Sequence, residues 1–150
     1  EAMQRLNKLN ESQDGFDVAR IKKELQTCMQ NYFGVFRRGE FMEKGVKELE
    51  EIKFKVDNLH LKDKSVSFNT SRVEALELQN LFEVAQATAI SALKRTESRG
   101  AHARDDFPDR DDENWLCHSL YDPTKKDISK RKVNYEPKQV KAFPPKMRSY

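Results

Sequence analysis

Apolar side chains recur along the first two-thirds of the chain at steps of three and four residues, the period that lines one face of an α-helix. Val18, Ile21, Leu25, Cys28, Met29 and Tyr32 form one such stripe. Asp17 stands where a carboxylate can accept a free amide of the first turn, and Gly34 closes the segment. Upstream, Glu1–Asn10 carries Ala2, Leu6 and Leu9 on one face and is separated by the polar connector Glu11–Gly15. After Arg37-Arg38-Gly39, a near-heptad stripe of Met42, Gly45, Val46, Leu49, Ile52, Val56 and Leu59 predicts a second long helix. His60–Asn69 is a polar linker. Ser71 and Glu74 fit a capping box for a third helix that runs to about Arg95, with Val73, Leu76, Leu81, Val84, Ala85, Thr88 and Ala92 as its stripe.

The pattern then changes. Gly100 breaks the helix, and Asp105–Glu113 is an acidic loop. Trp115–Tyr121 and Ile128–Tyr135 read as two short strands joined at Asp122-Pro123-Thr124. Pro137, Pro144 and Pro145 hold the tail extended. The fold class predicted is mainly α: a three-to-four-helix bundle over 1–97, then a loop, a small β-hairpin and an extended C-terminal tail over 98–150.

Composition narrows the function classes. Of 150 residues, 37% are hydrophobic and 35% charged, and no apolar run approaches the ~18 residues that a membrane span needs. No signal-peptide pattern opens the chain, and residue 1 is Glu rather than Met, as expected of a fragment or processed chain. The five glycines include no GxG, so neither a dinucleotide fingerprint nor a phosphate loop is present. Two cysteines 89 positions apart suit reduced thiols and a cytoplasmic setting. Charge is uneven: residues 1–97 are net neutral, 98–123 carry −4 and 124–150 carry +7.

Cys117, His118 and His102 lack the paired spacing of a zinc site. The acidic loop lacks the glycine and glutamate of a calcium loop: counted from Asp109, positions six and twelve are Asn114 and Leu120. The basic tail with Tyr135, Phe143 and Tyr150 has the composition of a nucleic-acid binder, or of a strap lying on an acidic surface. Ser98 has His102 nearby but no nucleophile elbow around it. Anchoring is the better reading: Gly100 turns the backbone, and Arg99 and His102 leave a helix terminus toward another surface. The competing reading is that Arg99 pairs with Glu97 or Asp105.

Glu97-Ser98-Arg99-Gly100-Ala101-His102-Ala103-Arg104 resembles the ESRGAH segment of succinate dehydrogenase and fumarate reductase flavoprotein subunits. Asp106–Leu120, with its Asp109-Arg110-Asp111-Asp112-Glu113-Asn114-Trp115-Leu116-Cys117-His118 run, is similar to the segment that follows in bacterial succinate dehydrogenases. Phe143–Tyr150 is similar to that subunit's C-terminus, and Phe36-Arg37, Phe68-Asn69-Thr70 and Glu77–Leu81 also fit. The resemblance implies the C-terminal quarter of such a subunit, a helical docking domain. The parent oxidises succinate to fumarate, a step of the tricarboxylic acid cycle and of electron transport. It uses covalent FAD, an iron–sulfur subunit, membrane anchors and quinone, as a peripheral complex on the cytoplasmic face of the membrane. No catalytic, flavin-binding or metal residue of the family maps onto these positions, so this chain alone is expected to be non-catalytic and without a cofactor. Ser98, Arg99, His102 and Arg104 are the expected contacts to the missing FAD-binding domain or to a partner subunit, with Arg99 and His102 largely exposed. The alternative class is a free-standing basic-tailed interaction module that binds nucleic acid or protein.

Overall fold

Four helices make up the bundle in the computed structural model, which describes residues 2–144 and 146; the last three pack on one another and the first joins them through Leu9 and Arg5. They are α1 (Ala2–Glu11), α2 (Val18–Phe33), α3 (Gly39–Asp57) and α4 (Thr70–Lys94). The predicted stripes of α2 and α3 face each other. Ile21, Leu25 and Cys28 meet Met42, Leu49, Ile52 and Val56, all buried. Leu59 and Leu61, just past α3, join the same core. Asp17 caps α2 by accepting from the Arg20 amide at 3.0 Å. Before it, Phe16 pairs with Leu59, and Gly15 at φ +139° makes that approach possible, because a side chain there would strike the Asn58 carbonyl.

Gly45 marks the closest approach of α2 and α3. A Cβ there would lie 2.6 Å from both the Phe33 ring and Tyr32 Cβ. The Gly45→Ala substitution, favourable in an isolated helix, is therefore expected to lower stability here by about 1–3 kcal/mol through overpacking. A urea titration would measure this, and an unchanged midpoint would mean that the Phe33 ring can yield.

Two details of α4 differ from the sequence reading. Asn69, not Ser71, caps α4: its side chain accepts from the Arg72 amide at 2.8 Å and itself donates to Asp63 and Ser65 carbonyls. The buried face of α4 is Ala75, Leu78, Phe82, Ala85, Gln86, Ala89, Ile90 and Ala92. Val73, Leu81 and Val84 point outward instead, Val84 at 64% exposed. Alanines inside and valines outside reverse what side-chain size alone suggests.

The remaining elements are short. β1 (Phe36–Arg37) pairs in parallel with β2 (Ala103–Arg104), a contact absent from the sequence reading. A four-residue helix, α5 (Asp112–Trp115), starts where the loop reading placed only acids, with Asp111 as its cap. The hairpin is β3 (Cys117–Asp122) against β4 (Asp127–Lys132), antiparallel and shorter than predicted. Tyr121 Oη donates to Gln86 Oε1 at 3.1 Å and Lys94 pairs with Asp127, which fastens the hairpin to α4. From 133 onward the described residues form neither helix nor strand. Pro145 and Met147–Tyr150 of the tail reading lie outside the described residues, as does Glu1.

Candidate functional site

The last carbonyls of α4 have no partner within the helix. Arg104 supplies one. Its Nη1 donates to the carbonyls of Ala92, Leu93 and Arg95 at 3.2, 3.0 and 3.2 Å, and the residue is 3% exposed. The rest of the guanidinium forks onto Asp106, with both bonds at 2.7 Å. Asp106 Oδ2 also accepts the Gly39 amide at 2.9 Å, at the first turn of α3, where Arg38 as N-cap offers no side-chain bond. One ion pair thus places a cation at the C-terminus of α4 and an anion at the N-terminus of α3, each matching the helix dipole. The Arg104 guanidinium holds the Asp106 carboxyl well below the usual carboxylate range.

Glu97 is the second centre. It is 0% exposed. Its oxygens accept from Arg95 Nε at 2.8 Å, Arg99 Nε at 2.7 Å, Arg99 Nη2 at 3.0 Å and the Asp111 amide at 2.9 Å. Burial alone would push this carboxyl up. The bonds from Arg99, the Asp111 amide and Arg95 outweigh it and bring the carboxyl below its ordinary value. Arg99 continues to Asp112 at 2.6 Å, and Asp112 to Arg110 at 2.8 Å. Arg95 reaches the Trp115 and Cys117 carbonyls and lies 5.2 Å from the Trp115 ring, with Lys130 3.6 Å from that ring. The small hairpin therefore hangs on the same cluster.

His102 lies between helix ends. Its Nδ1 is 2.7 Å from Arg37 Nη1 and its Nε2 is 3.1 Å from the Arg95 carbonyl. Arg37 Nε donates to the Phe33 and Gly34 carbonyls, which end α2. Burial first, then the Arg37, Arg104 and Arg95 charges, lower the His102 pKa, against an opposing bond to the Arg95 carbonyl. Arg99 and His102 pair as a tight antiparallel turn, with Gly100 at φ +58° in the left-handed region.

These bonds correct the expectation of exposure. The Arg99 side chain is three-quarters covered and paired with Glu97, His102 is half-buried and Arg104 is buried. Arg99 follows the competing reading with respect to Glu97, while Asp105 pairs with Arg38 instead. Ser98 accepts the Arg104 amide at 2.8 Å and donates to the Phe107 carbonyl at 2.8 Å, so its hydroxyl is part of the turn. Both ring nitrogens of His102 are engaged, which leaves neither to activate Ser98. Among the described residues, no three His, Cys, Asp or Glu side chains are grouped to hold a metal ion. The acidic loop is committed to other work: Asp105, Asp106 and Asp112 pair with arginines, and Asp111 caps α5.

The cluster is a clasp that ties the ends of α2, α3 and α4 to residues 97–112. Beside it stand apolar side chains to which the sequence reading gave no contact role. Val35, Phe36, Phe41 and Phe107 are exposed, Phe36 at 79%. Phe36 alternates with the half-buried Arg37 on β1, so the same strand sends its cation inward and its ring outward.

Residues 22–150 match the model of a family described as fumarate reductase flavoprotein C-term. The succinate dehydrogenase flavoprotein subunit of Coxiella burnetii is 43% identical over 147 residues, which is 98% of this chain and 25% of that protein. The fumarate reductase flavoprotein subunit of Mycobacterium tuberculosis is 36% identical over 138 residues, 92% of this chain and 23% of that one. Among solved structures, an E. coli quinol fumarate reductase chain superimposes with a TM-score of 0.83 at 31% identity, covering 97% of this chain and 25% of its own. The chain spans about a quarter of the length of the relatives it matches.

Proposed function

The chain belongs to the fumarate reductase flavoprotein C-terminal family, and from that premise we propose that it is the C-terminal helical docking domain of a succinate dehydrogenase flavoprotein subunit. The observation that carries this reading is the match of residues 22–150 to that family, at a quarter of the length of whole subunits. The parent enzyme would oxidise succinate to fumarate and pass the electrons through FAD and an iron–sulfur subunit to quinone. It would work as a peripheral complex on the cytoplasmic face of the membrane. Among the described residues no helix is long and apolar enough to cross one.

This part would contribute no catalytic group. Its residues do not fit a flavin: a pyrophosphate seeks open amides at a helix N-terminus. Here an acceptor side chain of the chain itself already occupies a first-turn amide of each of α2, α3, α4 and α5: Asp17, Asp106, Asn69 and Asp111, three of them carboxylates that would repel a phosphate. The bundle over 1–97 supplies the rigid body. Within 98–150, Ser98, Arg99, His102 and Arg104 act through the clasp, which fixes Val35, Phe36, Phe41 and Phe107 as an apolar collar toward the FAD-binding part of the subunit.

Co-production of this chain with the remainder of the subunit as a separate polypeptide tests the reading. The two are expected to co-purify with bound flavin and succinate oxidation, while the chain alone is colourless. Phe36→Asp should weaken the association at least tenfold, about 1.4 kcal/mol, and leave the melting temperature of this chain unchanged because the ring is exposed. Flavin in the isolated chain, or a nucleic-acid complex that survives physiological salt, would overturn it.

A further inference from the structure

His102 is the only group of the clasp whose charge changes near neutral pH. Arg37 can donate but has no acceptor, so the 2.7 Å contact requires a lone pair on His102 Nδ1. The ring proton then sits on Nε2 and is donated to the Arg95 carbonyl at 3.1 Å. A neutral ring in one tautomer therefore completes a line of hydrogen bonds from the Phe33 and Gly34 carbonyls, through Arg37, to the end of α4. Arg37 also accepts the Asp105 amide on its own carbonyl at 2.9 Å, beside the β1–β2 pairing.

The charges that face the ring are all positive: Arg37 from β1, Arg104 from β2 and Arg95 at the end of α4. The carboxylates in the cluster are occupied. Asp105 pairs with Arg38, Asp106 with Arg104, and Glu97 with Arg95 and Arg99. None is bonded to the ring.

We propose that His102 is a protonation-sensitive latch: a proton taken from solvent onto Nδ1 replaces the Arg37 bond with a contact between two cations, and the β1–β2 pairing opens while the four-helix bundle stays folded. The sign follows from the closed state, in which burial and the arginines hold the ring below its ordinary value. The closed latch is fully stabilised above about pH 6.5, the ordinary histidine value, and weakens as pH falls. Between the ordinary value and the lower value of the closed state the opened ring holds more proton than the closed one, so the opening equilibrium should rise as pH falls through that window, by at most about tenfold per pH unit. A lowered pH would thereby loosen the collar while the core that carries it stays intact.

Amide hydrogen exchange on the 150-residue chain, corrected for intrinsic rates, tests the latch between pH 7 and 5. Asp105 is expected to lose protection progressively as pH falls below about 6.5, by up to about tenfold per unit, while Leu49 and Phe82 in the core keep theirs. His102→Gln retains an acceptor and a donor without a titrating group, and should make the Asp105 profile flat. Arg37→Met removes the nearest cation, so the His102 ring, followed by NMR, should titrate closer to the ordinary histidine value than in the unmodified chain. This second variant decides the matter if the first does not fold. Constant Asp105 protection across the range, opening that persists in His102→Gln, or an unmoved ring pKa in Arg37→Met would each overturn the proposal.

Discussion

Arg104→Ala should cost about 3–5 kcal/mol of unfolding free energy, the range seen when one partner of a buried ion pair is removed. The substitution strips three α4 carbonyls of their donor and leaves Asp106 without its fork. It also opens a gap under Phe107, whose ring lies 5.0 Å from the guanidinium. Arg104→Lys keeps the charge but cannot serve Asp106 and three carbonyls together, so it should recover only part of the loss. Urea denaturation of the three proteins measures this directly. A loss below about 1 kcal/mol, the worth of one ordinary hydrogen bond, would show that water replaces the guanidinium and that the clasp is not what holds the helix ends.

Glu97→Ala is the second large effect, expected at about 2–4 kcal/mol. It leaves Arg95 and Arg99 side by side without the carboxylate between them and frees the Asp111 amide. Its pH dependence is also defined. The folded carboxyl lies below its ordinary value of about 4.3, so its stabilisation is complete above that pH and is lost as pH falls toward the folded value. Asp106 follows the same direction. Glu97→Gln keeps the shape and part of the bonding, so it should cost less than alanine and flatten the acid limb between pH 5 and 3. An acid limb as steep as in the unmodified chain would assign that transition to other carboxylates.

The helices were legible where large apolar residues and the buried face coincide. In α2 and α3 every stripe position named from sequence is buried or packed on the core. In α4 they do not coincide. The helix carries valine and leucine on its outer face, while small Ala75, Ala85, Ala89 and Ala92 let α2 and α3 approach on the inner one. The large apolar residues are thus split between the two faces, with Leu78, Phe82 and Ile90 inside and Val73, Leu81 and Val84 outside, so of the predicted stripe only Ala85 and Ala92 are buried. At the N-terminus of α4 the sequence suggests a Ser71–Glu74 capping box, and local chemistry alone does not rank Ser71 against Asn69, two positions earlier. The hydrogen bonds from Asn69 to Asp63 and Ser65 do, and they depend on the fold of the preceding loop.

The clasp was legible as a place but not as an arrangement. Gly100 and the arginines located it, and the choice of Glu97 as a partner for Arg99 was open in the sequence. Burial was not readable: Arg and Glu are seldom enclosed unless paired, and although the pairs stand only two residues apart, α3 and β1, which close over them, come from far along the chain. Two-residue strands such as β1 and β2 carry no period at all. The exposure of Phe36, Phe41 and Phe107 was not legible either, because no periodic stripe runs through them and only the alternation on β1 shows that the Phe36 ring faces out.

The bond from the Gly39 amide to Asp106 joins positions 67 apart along the chain. Closing so long a loop from an unfolded chain is entropically slow, since the cost grows with the logarithm of its length. Packing of α3 on α4 changes the problem. Once those helices are side by side, only the short stretch between Lys94 and Asp106 is left to find its place. The bundle is therefore expected to form first, with the first turn of α3 open until the segment after α4 swings in. During synthesis from the amino terminus, α2 and α3 are complete long before Arg104 and Asp106 exist. In the reverse direction the clasp is the first part to let go, so a brief detachment of residues 97–112 would precede any loss of the helices.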